Sequence, residues 1–228
     1  MNRFRLCAVA PGLVLLLTML LFSCAPVNLY TISMKYLPQE TPPSPTARSG
    51  NIPVTVAMFI DARAVADTIR IGTVTLPDGK TIPVTPKERR PADAVTDGVR
   101  QCLSEEGYSL SPESPAWNLR NDSIDKLWGT ALLIGGSIDR LEIVCHKEGF
   151  KKTYRTDVKL TIVFADTRNA RILRRTEAEA SSSLAHVSFS EEMLGEQISK
   201  TLSKAIRQVC SDGKTIPQIL EQMKRGGG

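Results

Sequence analysis

Two adjacent side chains, Cys145 and His146, have the types that a thiol nucleophile and its base require. Catalysis by such a pair needs the base within hydrogen-bond reach of the sulfur. The surrounding pattern is that of a β-strand, in which neighbouring side chains point to opposite faces of the sheet. We therefore expect the two side chains to diverge, with Cys145 as a core thiol beside a turn histidine.

Other catalytic and ligand-binding motifs are missing from the sequence. The run Gly135-Gly136-Ser137 lacks the closing glycine and the strand-to-helix context of a dinucleotide-binding loop, and no Walker A, G-x-S-x-G or H-E-x-x-H motif occurs. The five cysteines form no C-x-x-C pair, and two histidines leave little for a metal centre. The sequence predicts a protein without enzymatic activity, cofactor or metal.

The first twenty-four residues show the successive zones of an export signal. Arg3 and Arg5 give a basic start, and an apolar stretch follows at residues 8–22. This stretch is shorter than the roughly 20 residues that a transmembrane helix needs. We expect a secretory signal peptide over residues 1–23. An ordinary cleavage site beside a chance cysteine and an uncleaved anchor are the alternatives.

The segment Leu21-Phe22-Ser23-Cys24 resembles the lipobox of bacterial lipoproteins, although Phe22 is bulkier than usual at its position. The resemblance implies that a signal peptidase recognises Leu21, Phe22 and Ser23 and cuts after Ser23. It also implies a diacylglyceryl thioether and an N-acyl chain on Cys24, and two or more acyl chains anchor a protein stably. Because Ala25 rather than aspartate follows the cysteine, it implies sorting to the outer membrane, facing the periplasm.

Three cysteines, Cys102, Cys145 and Cys210, remain once Cys24 is lipidated and Cys7 leaves with the signal peptide. Three is an odd number, so at least one thiol stays unpaired. Cys102 lies on the inner face of one predicted helix, and Cys210 lies at the end of another. If both helices cover the same sheet face, a Cys102–Cys210 disulfide can form. Three buried reduced thiols are the alternative.

The charge balance argues against nucleic acid as a partner. The formal charge is +5, and removing residues 1–23 takes away two arginines and no acid, which leaves +3. This is a mild bias rather than the basic stripe of a nucleic-acid-binding domain. Two basic groups are predicted to be solvated turn and strand-edge charges, with contact to anionic lipid headgroups as the alternative: Lys87/Arg89/Arg90 and Arg171/Arg174/Arg175.

Residues 24–50 are predicted to form a lipidated, proline-rich tether. Proline disfavours both helix and ladder pairing, which gives a semi-extended chain. The prolines concerned are Pro38, Pro42, Pro43 and Pro45. Within this range, residues 30–36 alternate large apolar with small polar side chains, a pattern that allows docking as an edge strand.

Residues 51–212 are predicted to form one periplasmic α+β domain, a mostly antiparallel sheet with two helices packed on one face. Helices are expected at 92–106, closed by Gly107, and at 191–209, capped by serine. Residues 111–127 are expected to be a surface excursion that carries Trp117, and residues 213–228 a short helix with a flexible glycine tail. Strands are expected at 54–60, 69–76 and 81–84 around a 77–80 turn, 130–144, 157–164 and 171–183.

Several features of the mature chain resemble the YajG-type outer-membrane lipoproteins. They are the segment ending Tyr36-Leu37-Pro38, the strand ending Asp61-x-Arg63, the helix closing at Glu106-Gly107-Tyr108, and the meander that follows. Auxiliary lipoproteins of lipid-transport ABC systems and lipopolysaccharide-assembly lipoproteins share this plan. The resemblance implies an accessory role through contact with partner proteins, lipid or glycan, and it supplies no catalytic residues.

The sequence therefore predicts a non-enzymatic accessory, assembly or scaffold module, held to the membrane through Cys24 and binding an envelope protein. A carrier of lipid or glycan is the alternative. A continuous apolar cavity between the Val95/Val99 and Leu194/Ile198 stripes would favour the carrier. A packed core with an exposed apolar strand edge would favour the partner-binding module.

Overall fold

The computed structural model of the protein describes residues 28–39, 53–64, 69–125 and 130–225. The predicted lipidation site Cys24 and its recognition residues Leu21, Phe22 and Ser23 lie outside the described residues. Among the helices within these four ranges, none is long and apolar enough to span a membrane.

Eight strands and three helices make up the described part of the chain. The strands are β1 (Tyr30–Ile32), β2 (Val54–Val56), β3 (Ile60–Asp61), β4 (Gly72–Thr75), β5 (Thr81–Pro86), β6 (Leu132–Glu148), β7 (Lys151–Asp166) and β8 (Arg171–His186). The helices are α1 (Pro91–Glu105), α2 (Glu191–Cys210) and α3 (Thr215–Arg225), and a short 3-10 turn covers Asn121–Ser123.

The long strands β6, β7 and β8 form an antiparallel meander, within the mostly antiparallel sheet that the sequence predicts. β6 pairs with β7 from Leu132↔Asp166 to Glu148↔Lys151, and β7 pairs with β8 along nearly its whole length. At about 3.3 Å per residue, β7 makes the sheet about 50 Å long in the strand direction. The β6–β7 turn and the β7–β8 turn therefore lie at opposite ends of the molecule.

On the other side of β6 the sheet is mixed. β2 and β3 run parallel to the first half of β6, and β4 runs parallel to its second half. β4 and β5 form the predicted hairpin, and β1 closes the edge parallel to β5. The strand order is β1-β5-β4-β6-β7-β8. The fold class is α+β, as predicted.

The strand predicted at 54–60 is split into β2 and β3. Between them the Phe59 N–H donates to Thr96 Oγ1 of α1, at 2.9 Å, instead of to a neighbouring strand. The contact with the helix interrupts the ladder, and no local property of the sequence indicates it.

The two predicted helices form where the sequence places them. Pro91 begins α1, since the N–H group of the first helical residue has no hydrogen-bond partner within the helix and proline lacks that group. Gly107, with a φ of +83°, adopts the left-handed conformation that ends the helix. Ser190 caps α2 by accepting a hydrogen bond from the Met193 N–H at 3.1 Å.

Both helices pack on one face of the sheet and form the main core with it. Val95 and Val99 of α1 and Leu194 and Ile198 of α2 are all buried against the sheet. α3 continues the same core from the C-terminal side. Its buried residues are Ile216, Ile219, Leu220 and Met223.

Residues 111–125 form the predicted surface excursion, but they cover one end of the opposite face of the sheet and bury Trp117 there. Trp117 is only 3% exposed and packs with Leu133 and Val163 of the sheet. Its indole N–H donates to the carbonyl oxygen of Arg120 at 3.0 Å. The segment buries single side chains from an irregular loop, so no periodic pattern marks it in the sequence.

The Asp61-x-Arg63 motif ties β3 to its neighbours. The Arg63 side chain is buried and donates two hydrogen bonds, of 2.8 and 2.7 Å, to the Asp61 carboxylate. Its remaining nitrogen donates to the carbonyl oxygens of Arg70 and Leu141, at 3.0 and 3.2 Å. Bidentate charge-assisted bonds of this kind are strong and directional, so the motif has a structural role at the end of β3.

Candidate functional site

The described chain begins at Asn28, four residues after the predicted lipidation site, and enters the fold through β1. We call residues 30–37 the attachment segment. Ile32, Met34 and Tyr36 are buried in the main core, and β1 is the edge strand that the alternation predicts. Packing therefore begins inside the range that the sequence assigns to the tether.

The backbone of the attachment segment is hydrogen-bonded to side chains of α2. Three of its N–H groups donate to α2, and one of its carbonyl groups accepts from α2. The bonds run from Thr31 N to Glu191 (3.2 Å), from Lys35 N to Ser199 (3.2 Å), from Leu37 N to Ser203 (2.7 Å), and from Arg207 to the Leu37 oxygen (2.8 Å). The segment that leads to the predicted lipid is thus held along the length of the helix.

A row of small residues on α2 makes room for this segment. Gly195, Ser199 and Ser203 recur every four residues and so share one face of the helix. A Cβ at Gly195 would lie 2.7 Å from the Ser33 carbonyl oxygen, too close for any side chain. Sequence reasoning missed this docking face, although the four-residue spacing of small residues beside an apolar stripe was its signal.

At the end of the sheet where the attachment segment enters, aromatic rings pack around a lysine. Tyr30 meets Phe189 edge to face with ring centroids 5.1 Å apart, and the Tyr154 ring lies parallel to the Phe189 ring at a centroid distance of 6.4 Å. The Lys147 ammonium lies 3.3 Å from the Phe189 ring centroid and donates to the Tyr30 hydroxyl at 3.2 Å. Cation–π contacts of this kind hold the start of the attachment segment against β6 and α2.

The same end of the sheet carries the most exposed large apolar side chains. Phe150, in the β6–β7 turn, is 94% exposed, and Val187, just after β8, is 75% exposed. Both lie at the same end of the sheet, because Lys152 pairs with His186. We call Gly149, Phe150 and Lys151 together with Val187 the sheet tip.

The predicted cysteine pair lies where α1 meets α2. Cys102 and Cys210 are both buried thiols, and the Cys102 sulfur lies 3.6 Å from the Ser211 hydroxyl. A hydrogen bond from Cys210 lowers the pKa of Cys102 below its ordinary value, against the effect of burial. The same hydrogen bond, together with burial, raises the pKa of Cys210 well above its usual range. The geometry brings the two thiols together, and their oxidation stays a prediction.

Oxidised glutathione is expected to join Cys102 to Cys210 and to leave Cys145 as a thiol. The Cys102 thiolate attacks the glutathione disulfide and releases one glutathione thiolate, which takes up the proton that Cys102 lost. The Cys210 sulfur then displaces the second glutathione, which takes up the Cys210 proton. Mass spectrometry of proteolytic fragments would show the linked peptides with two hydrogens lost. Cys102→Ser is the control without a crosslink, and alkylation of Cys102, Cys145 and Cys210 alike after treatment would contradict the prediction.

Cys145 and His146 diverge, as the strand geometry predicts. The Cys145 side chain is buried in the main core, where burial raises the pKa of its thiol to about 11, whereas His146 is exposed on the other face. The pair is not arranged as nucleophile and base. Across the four described ranges, no group of three or more His, Cys, Asp or Glu side chains is placed to hold a metal ion.

The space between the two helices and the sheet is filled. The enclosed cavity there has a volume of about 10 Å³ and is lined by Val99, Leu103, Ile206 and neighbouring core residues. Ligand pockets typically have volumes of about 300 Å³ or more. The apolar stripes that would line a carrier cavity, Val95/Val99 and Leu194/Ile198, are instead buried in one continuous core with the sheet.

Comparisons with known proteins return similar folds at low sequence identity. No family model and no curated protein matches the chain. Protein XCC0632 of Xanthomonas campestris, described with the family model DUF330, is 12% identical, and the match covers 85% of this chain and 98% of that one with a TM-score of 0.49. Lipoprotein GNA1162 of Neisseria meningitidis is 12% identical over 68% and 97% of the two chains, with a TM-score of 0.37.

A third solved structure, the hypothetical protein CT253 of Chlamydia trachomatis, is 11% identical. The match covers 71% of this chain and 97% of that one, with a TM-score of 0.41. None of these three proteins is described as a YajG-type lipoprotein, so that finer assignment stays a prediction from the sequence.

Proposed function

We propose that the protein is an envelope lipoprotein, held by acyl chains on Cys24 at the periplasmic face of the outer membrane. Its α+β domain acts there as a non-enzymatic accessory or scaffold module that binds an envelope protein. The observation that carries this proposal is the position of the Leu21-Phe22-Ser23-Cys24 segment. It lies directly at the end of the apolar stretch, and only residues 25–29 separate Cys24 from β1.

The docking of the attachment segment supports the same function. A lipid on Cys24 would be joined through a few residues to the attachment segment, whose backbone makes four hydrogen bonds with α2. Such a connection keeps the domain close to the bilayer with a restricted orientation. The filled core between α1, α2 and the sheet favours a module that works through its surface over a carrier with an internal ligand.

Mass spectrometry of the protein purified from membranes tests the proposal. We expect a mature chain that begins at Cys24 and carries three acyl chains, and we expect it in the outer-membrane fraction of a density gradient. A chain that begins elsewhere, or that retains a free thiol at Cys24, would contradict the lipoprotein assignment. An acylated protein in the inner-membrane fraction would contradict only the assignment to the outer membrane.

A further inference from the structure

We infer that the sheet tip is a second membrane-contact site, at which the β6–β7 turn inserts Phe150 into the headgroup region of an anionic lipid surface. The inference rests on the proposed lipid anchor at Cys24. It adds a contact made by the folded domain itself, and it thereby specifies which end of the sheet faces the bilayer.

The first argument is the position of the anchor along the sheet. Successive pairings join Tyr30 to β6: Tyr30↔Val84, Gly72↔Val84 and Gly72↔Ile143. Tyr30 therefore lies level with Ile143. β1 runs away from the tip, so the residues before Tyr30 lead toward the tip.

The distance from Tyr30 to the sheet tip and the length of chain from Tyr30 back to Cys24 then decide whether the tip meets the membrane. Residues 143–150 span about 23 Å of strand between the level of Tyr30 and the tip. Residues 24–30 span at most about 21 Å even when fully extended. Cys24 therefore does not reach beyond the tip in the strand direction. When its acyl chains enter a bilayer that faces this end, Phe150 arrives at the same surface.

The second argument is the chemistry of the tip. Exposure of a phenylalanine to water is unfavourable, and its transfer to an apolar environment releases free energy. Aromatic side chains next to lysines are typical of proteins that lie in the membrane interface. Phe150 precedes Lys151 and Lys152, and the Lys152 ammonium donates to the Gly149 carbonyl oxygen at 2.6 Å, which orders the turn. The hairpin thus presents the Phe150 side chain to solvent at the end of the sheet.

Charge at this end of the sheet complements anionic lipids. Its cationic side chains are Lys80 of the β4–β5 turn and Lys147, Lys151 and Lys152 of the β6–β7 hairpin, and its carboxylates are Asp78 and Glu148. The excess of two positive charges is small. It is placed where the acyl chains bring it within a Debye length of the headgroups.

Depth-dependent fluorescence quenching tests the inference on the acylated protein. Phe150→Trp protein is reconstituted in phosphatidylethanolamine and phosphatidylglycerol vesicles that contain lipids brominated high in the acyl chain. Emission of the wild type is subtracted to remove the contribution of the native tryptophans. We expect the added emission to fall by about half or more, since the ring enters the interface. Arg168→Trp, in the β7–β8 turn about 50 Å away, is the matched control and is expected to keep its emission.

The outcomes separate this inference from the proposed function. Acylated, vesicle-bound protein whose introduced tryptophan at 150 is not quenched overturns the inference and leaves the lipoprotein assignment intact. Blue-shifted emission without quenching would mean that a protein, or a second copy of this chain, covers the tip, and it would overturn the inference too. Absence of acylation at Cys24 is a failure of the proposed function.

A binding measurement on the chain without acyl groups tests the inference even when Cys24 is not acylated. The mature chain with Cys24→Ser is mixed with phosphatidylglycerol vesicles and separated by flotation. Lys151→Gln is expected to weaken binding about fivefold, because each lysine near an anionic surface contributes about 1 kcal/mol. Phe150→Ser is expected to weaken it about tenfold through loss of apolar burial. Lys214→Gln, which removes the same charge before α3, is expected to bind like its parent. Equal binding by all three variants, or no binding by the parent chain, overturns the inference.

Discussion

Replacement of Cys24 by serine is expected to abolish acylation and to leave an uncut precursor in place of the mature chain, held at the membrane only by its apolar stretch at residues 8–22. The thioether needs the sulfur of Cys24, and the processing implied by the lipobox resemblance follows lipidation. Each buried methylene of an acyl chain contributes about 0.8 kcal/mol, so that loss of all the chains removes far more binding energy than the sheet tip supplies. The expected change is loss of the acylated mature form in favour of the longer precursor.

Fractionation of cells followed by measurement of the molecular mass checks this expectation. Cys7→Ser is the matched control, since it makes the same atomic exchange inside the export signal and leaves Cys24 in place. We expect the control to be processed and acylated like the wild type. If Cys24→Ser protein is still cut after Ser23 and still sediments with membranes, the lipoprotein assignment is wrong.

Replacement of Gly136 by alanine is expected to lower the free energy of unfolding by more than about 3 kcal/mol, at the upper end of overpacking effects in protein cores. A Cβ at this position would lie 2.2 Å from the Thr161 carbonyl oxygen and 2.5 Å from the Phe59 ring. The first of these atoms belongs to the backbone of β7, which is paired with β6 on its whole length. Neither β7 nor the buried Phe59 ring has room to move away.

Urea unfolding of the mature chain measures this effect, because the midpoint shifts in proportion to the loss of stability while the slope stays constant. Ser181→Ala, at an exposed position of β8, is the control and is expected to change the stability by less than about 0.5 kcal/mol. Unfolding of Gly136→Ala protein at the wild-type urea concentration would show that the sheet and Phe59 do not pack as described.

The glycine pair shows how tertiary contacts explain a motif that local reasoning leaves open. By sequence, Gly135-Gly136-Ser137 is only an incomplete phosphate-binding loop. In the structure each glycine faces a different layer: a Cβ at Gly135 would lie 2.8 Å from the Trp117 ring, and one at Gly136 would meet Phe59. Two successive glycines are needed because the Trp117 ring and the Phe59 ring approach opposite faces of β6 at the same level, which leaves no room for a side chain at either position.

Elements with a strong local signal could be predicted from the sequence. β7 alternates because its two faces meet different surroundings, α1 ends where Gly107 permits a left-handed turn, and α2 begins where Ser190 supplies an acceptor for the first free N–H groups. Each of these signals is contained within a few residues. The split of the 54–60 strand and the burial of Trp117 could not be predicted, since both depend on partners far along the chain.

By itself the sequence predicted an export signal with a lipobox-like segment at Cys24, and it determined the types and approximate limits of the main elements. These properties follow from composition and periodicity over at most some twenty residues. Only the tertiary structure decided that Cys102 and Cys210 lie where α1 meets α2, that Gly195, Ser199 and Ser203 receive the attachment segment, and that Tyr30 lies near the same end of the sheet as Phe150. Those contacts join residues more than a hundred positions apart, and they depend on strand register and helix packing, which no local pattern encodes.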